Sequence, residues 1–98
     1  MIKSLAQTTF SPSEYWRDDH SSAYLDDSVL EYADEIGVEI TMLAHHPNVV
    51  ITTVSEAGLA NHVSTQPRHA YALIASYVRE RRQYAAWKVA REVAELAQ

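Results

Sequence analysis

The sequence specifies an α+β domain, a small antiparallel sheet combined with helices, and three features point there. Val49-Val50-Ile51-Thr52-Thr53-Val54 is β-branched at all six positions, and such side chains fit a pleated surface better than a helix. Just upstream, Val38, Ile40 and Met42 alternate with Glu39 and Thr41, the period of a half-buried strand. Beyond Pro67, in contrast, no glycine or proline occurs and alanine is abundant, so one long helix is expected from Pro67 to Leu96.

Taken in order, the stretch from Ile2 to Phe10 alternates apolar and polar residues and ends in threonines, which predicts a short first strand. Ser11-Pro12-Ser13-Glu14 starts a helix: Ser11 accepts from a free amide, Glu14 reaches back, and Pro12 loses nothing at the first helical position. That helix is short, because Asp18-Asp19-His20-Ser21-Ser22 begins helices better than it continues them. A second helix is expected from Ser22 or Ser28 to Ile36, burying Leu25, Val29, Ala33 and Ile36, with Gly37 as its left-handed stop. The strand at Val38 to Met42 and the strand at Val49 to Val54 are joined through His46-Pro47-Asn48. Pro47 pre-sets φ and Asn48 tolerates unusual dihedrals, so a hairpin with a loop longer than two residues is predicted.

Ser55 to Gln66 reads as a connector with a helical turn at Leu59 to Val63, giving three strands in all. Along the long helix, Tyr71, Ile74, Ala75, Val78, Ala85, Val89, Val93 and Leu96 fall in a sector about 100° wide, which is taken as the core face. Leu73, Tyr77, Tyr84 and Trp87 form a second, aromatic stripe opposite it. Arg82 lies inside the core sector, so it must snorkel, pair with an N-terminal carboxylate, or mark the edge of that face.

Composition narrows the function. With 98 residues, 47% hydrophobic and 21% charged, the chain makes one domain, residues 1–98, with a modest core, which excludes a disordered tail or a low-complexity linker. Zero cysteines exclude disulfide scaffolds and thiolate metal sites. The longest apolar run is Ala70 to Ala75, too short to span a bilayer. No apolar segment follows Met1-Ile2-Lys3-Ser4, so no signal peptide and a cytoplasmic location are expected. Gly37 and Gly58 are the two glycines, too few for a phosphate-cradling loop.

No chemistry-bearing constellation emerges from the rest. His20, His45, His46, His62 and His69 show no metal-ligand spacing. No serine stands in a nucleophile elbow. The expectation is a non-enzymatic protein without metal or cofactor. Charge is uneven: eight acids against Lys3 and Arg17 in residues 1–37, five acids against six bases afterwards, for a net −5. Asp18, Asp19, Asp26 and Asp27 cluster early, and Arg79, Arg81, Arg82, Lys88 and Arg91 cluster late.

Arginine, tyrosine and tryptophan are the residue types enriched at binding hot spots. The four early aspartates repel one another unless solvated or matched by a basic partner, so Asp18, Asp19, Asp26, Asp27, Arg79, Arg81, Tyr84, Trp87, Lys88 and Arg91 are the candidate partner-binding residues, and Leu73, Tyr77, Tyr84 and Trp87 the candidate homodimer interface. The leading expectation is a small acidic inhibitor or regulator that occupies a macromolecular partner, a basic or nucleic-acid-binding complex. In profile the chain resembles phage- or plasmid-borne proteins that block host defence complexes, some of which fill basic channels meant for nucleic acid. A second reading comes from Leu59-Ala60-Asn61-His62-Val63-Ser64-Thr65-Gln66-Pro67-Arg68, which resembles the Leu-Ala-x-His-x…Ser-x-Pro run of helix-turn-helix regulators. That resemblance implies a DNA-binding helix in the major groove. The turn glycine of that pattern is absent, and Arg79 to Arg91 is the one cluster available for phosphates.

Overall fold

A computed structural model of the chain describes residues 7–17 and 26–97. The expected strand positions Ile2 to Ala6 lie outside the described residues, as do Asp18, Asp19, His20 and Leu25. The element order is β1 (Gln7–Phe10), α1 (Pro12–Tyr15), α2 (Asp27–Glu35), β2 (Glu39–Leu43), β3 (Val49–Val54), β4 (Ala60–Thr65) and α3 (Pro67–Leu96). The strands form one antiparallel sheet in the order β1-β2-β3-β4, with helices packed on one face, an α+β fold.

The sequence signals for the first elements act as written. Glu14 N–H donates to Ser11 Oγ while Ser11 N–H donates to Glu14 Oε2, both at 3.4 Å, and Pro12 occupies the first turn. Ser13 ties α1 to α2: its hydroxyl and its N–H both donate to the Asp34 carboxylate. α2 starts at Asp26, whose carboxylate accepts from Ser28 N–H at 3.0 Å and Ser28 Oγ–H at 2.8 Å. Gly37 leaves the helix with φ +83. On α2 the buried positions are Leu30 and Ala33, with Val29 and Ile36 only half-buried, and the helix packs against α1 and α3.

Phe10, Ile40, Ile51 and Val63 fall in one cross-strand row on the covered face, and Ile40 and Ile51 are fully buried. An aromatic chain missed by the sequence reading closes one end of the core. Phe10, Tyr15, Trp16 and Tyr71 meet edge to face, with successive centroids 6.1, 4.8 and 5.5 Å apart, a geometry favoured by the ring quadrupoles. Burial pushes the Tyr15 phenol above its ordinary pKa. In the β2–β3 turn the left-handed residue is His45 (φ 64), not Asn48, whose N–H donates instead to His46 Nδ1 at 3.1 Å.

Two expectations are corrected here. First, the predicted turn at Leu59 to Val63 is a strand: Val54↔Ala60 through Val49↔Thr65 pair in register, raising the sheet from three strands to four. Val63 and Thr65 are the only strong strand formers there, so pairing with the unsatisfied edge of β3 outweighs local propensity. A five-residue loop with Gly58 at φ +84 turns the chain, closed by Ser55 N–H to Leu59 O at 2.9 Å. The segment likened to a helix-turn-helix is therefore strand and loop up to Gln66.

Second, Ala85, Val89, Val93 and Leu96 are not core. α3 is 30 residues, about 45 Å at 1.5 Å per residue, whereas strands of four to six residues reach about 20 Å. Ala70, Ile74 and Val78 are buried, but every residue from Arg82 to Ala97 is exposed. Half of the helix runs clear of the sheet, along a longest dimension of 64 Å.

Candidate partner-binding surface

The free half of α3 stays helical for local reasons. Ala85, Ala86, Ala90 and Ala94 are strong helix formers, the packed half supplies the nucleus, and Arg91 Nε sits 3.4 Å from Glu95 Oε1 one turn later. On this rod Tyr84 and Trp87 are 41% and 53% exposed. Their ring centroids are 5.8 Å apart, and the Arg91 guanidinium lies 5.4 Å from the Trp87 centroid. Steps of three and four residues put all three on one side of the helix. Lys88 is exposed beside them. The result is a rigid aromatic pair with a cation stacked on it and no segment of the described residues over it, the arrangement that presents area at low entropic cost.

The other residues singled out from the sequence separate from this patch. Leu73 and Tyr77 are half-buried and packed against the core. The four-residue stripe is thus divided: its first two members face the sheet and only Tyr84 and Trp87 are free. Leu73 and Tyr77 reach the core because the stripe lies at one flank of the covered arc of α3 and not opposite it, and the division falls where the sheet ends beneath the helix.

Arg81 is likewise occupied: its Nη1 donates to Val54 O at 2.7 Å and to Tyr77 Oη at 2.9 Å, and its Nη2 pairs with Glu56 at 3.1 Å. Tyr77 Oη–H donates to the same Val54 carbonyl at 2.7 Å. Arg81 is a clamp on the end of β3. Arg79 remains exposed.

Of the acidic cluster, Asp27 is exposed in the first turn of α2, where a carboxylate suits the helix dipole. Asp26 is the cap of that helix, and the hydrogen bond from the Ser28 side chain, then that from its backbone N–H, holds its carboxyl below the ordinary range. Arg82 answers the question its position raised: Nη2 donates to Ser28 O at 3.2 Å and the guanidinium lies 4.8 Å from the Tyr32 centroid. Acidic and basic clusters thus meet inside the chain at Asp26 and Arg82, which also lowers the Asp26 pKa slightly.

Two concavities flank α3. An open groove of about 390 Å³ lies at the foot of the free half, lined by Val29, Val78, Arg82 and Ala86 among others. A smaller pocket of about 150 Å³ lies between β4 and α3 at Val63, Leu73 and Tyr77. His62 is on β4, its Nδ1 2.9 Å from Thr52 Oγ1. Among the described residues no three His, Asp or Glu side chains are grouped to hold a metal ion, and no helix is long and apolar enough to cross a membrane. The chain matches no protein-family model, no curated protein and no solved structure.

Proposed function

We propose that this chain is a non-enzymatic binding protein that acts by occupying a macromolecular partner, with Tyr84, Trp87 and Arg91 as its anchor. The observation that carries this reading is the uncovered aromatic pair with Arg91 stacked on Trp87. An indole more than half in water is an apolar surface waiting to be desolvated, and aromatic and arginine anchors dominate binding energy. The partner expected is a protein with an apolar pocket for Trp87. The net charge of −5 and the exposed acids Asp27, Glu31 and Glu35 at steps of four along α2 favour a basic surface around that pocket, as nucleic-acid-handling complexes carry.

The test is capture from the native host with the wild-type chain and with the Tyr84→Ala, Trp87→Ala double variant, read by mass spectrometry. Circular dichroism confirms that both are folded. A protein retained by the wild type and lost from the variant supports the reading. Equal retention by both, or no protein retained, overturns it. So does tight, steeply salt-dependent binding of the chain to duplex DNA.

A further inference from the structure

We infer that the free half of α3 pairs antiparallel with the same segment of a second copy of this chain, through a face distinct from the Tyr84–Trp87 anchor. The starting point is the continuity of one stripe. Tyr71, Ile74 and Val78 pack against the core, and with steps of three and four the same stripe runs on through Arg82, Ala85, Val89, Val93 and Leu96. Its last three hydrophobics are 58%, 59% and 86% exposed. At 100° per residue they lie on the side opposite Tyr84, Trp87 and Arg91. Over the packed half of the helix this side is covered by α2, where Asp26 N–H donates to Tyr71 Oη at 3.0 Å and Arg82 reaches Ser28 O and the Tyr32 ring. Past Arg82 the cover ends, and the groove at Val29, Val78, Arg82 and Ala86 marks the place where it stops.

Charge selects the occupant and its direction. Lys88 and Glu92 sit one turn apart on one flank of the stripe, while Ala86, Ala90 and Ala97 occupy the other. In an antiparallel two-fold pair, like flanks face each other. A two-fold axis near Ala90 therefore sets Lys88 against Glu92 of the second copy, twice, and the alanine flanks let the two backbones approach closely. A parallel pair turns the charged flank onto the alanine flank instead. It also forces the two sheet domains into the same space at one end.

With the axis at Ala90 the overlap runs from Tyr84 to Leu96, about 20 Å at 1.5 Å per residue. Alone, that seam falls below the roughly 800 Å² per copy of a standard interface. The antiparallel arrangement adds what is missing, because Leu96 at the tip of one helix reaches the groove beside Val29 and Ala86 of the other copy. The pair is accordingly concentration-dependent, and both Tyr84–Trp87 anchors remain on its outside.

Sedimentation velocity across a concentration series tests this on the full chain, with Val89→Asp, Val93→Asp as the disrupting variant. Both valines are more than half exposed, so the variant keeps the wild-type melting temperature at low concentration. The expected result is a wild-type dimer that the double aspartate variant loses. Lys88→Glu weakens the dimer, and adding Glu92→Lys restores it. Because the chain has no cysteine, Ala90→Cys places one thiol near the two-fold axis and oxidises to a covalent dimer, whereas Leu96→Cys does not. A wild-type chain monomeric up to high-micromolar concentration overturns the inference. So does a dimer that survives both aspartates, a charge swap that fails to restore, or cross-linking through Leu96→Cys in place of Ala90→Cys.

Discussion

The end of β3 is held by two donors on one carbonyl, and a double-mutant cycle on Tyr77 and Arg81 measures whether they act as a unit. The Val54 carbonyl accepts from Tyr77 Oη and Arg81 Nη1, each at 2.7 Å, and Nη1 also donates to Tyr77 Oη. Tyr77→Phe removes one neutral hydrogen bond, about 1 kcal/mol net. Arg81→Met keeps the aliphatic stem but removes a charge-assisted bond from a side chain only 19% exposed, for about 2 kcal/mol. Glu56, half in water, contributes no more than a few tenths to that figure.

In either single variant the surviving donor still satisfies Val54. In the double variant neither remains, so the combined loss is about 4 kcal/mol, roughly 1 kcal/mol beyond the sum. At about 2 cal/mol/K per residue over 98 residues, Arg81→Met lowers the melting temperature by roughly 10 °C. Urea and thermal unfolding give the cycle, and amide exchange at Ser55 and Leu59 reports whether the β3–β4 loop opens first. Costs that simply add, or an Arg81→Met chain that melts with the wild type, refute the clamp.

Two further outcomes follow from burial and capping. Ile51, 1% exposed at the centre of the sheet, costs about 3 kcal/mol when cut to alanine, whereas Leu96→Ala in dilute solution stays within about 0.5 kcal/mol, and thermal unfolding of the two variants side by side checks the contrast. Asp26 has a folded pKa below its unfolded value because Ser28 hydrogen-bonds its carboxylate, so its contribution is in place above the ordinary carboxylate range and lost as pH falls through the lowered folded value; Asp26→Ala should flatten that acid limb, and an NMR titration of the Ser28 amide that shows no transition there contradicts it.

Elements whose signals were local were legible in the sequence. The capping box at Ser11 and Glu14, the β-branched run to Val54 and the uninterrupted pattern from Pro67 to Leu96 each specify their element without help from the rest of the chain. β4 was not legible, because Ala60 to Thr65 carries almost no apolar pattern and becomes a strand by pairing with β3. Nor was the division of α3. Periodicity identifies which residues share a face of a helix, but it does not contain the length of the sheet beneath, and so Val89 reads like Val78. The clamp at Arg81 was hidden for the same reason: a basic cluster in the sequence does not distinguish an arginine on a carbonyl from one in water. The exposed anchor was half legible, since the residue types at Tyr84 and Trp87 are visible but the separation of Leu73 and Tyr77 from them is not.

That division has a consequence for what selects the residues of the free half. Val89, Val93 and Leu96 are exposed in the folded monomer much as in the unfolded chain, so their burial contributes little to folding of one copy. Valine is moreover a weaker helix former than alanine, lysine or glutamate, by several tenths of a kcal/mol per position. The monomer would be better served by those residues at both valine positions. Local propensity and observed residue therefore conflict here with no burial to offset the conflict, whereas at Ile74 and Val78 burial offsets it, and such a conflict marks a position whose requirement lies outside the isolated fold. Val89→Lys and Val93→Lys should leave or slightly raise the melting temperature of dilute protein while weakening self-association. An assembly-competent lysine variant would return both valines to the ordinary surface of a long helix.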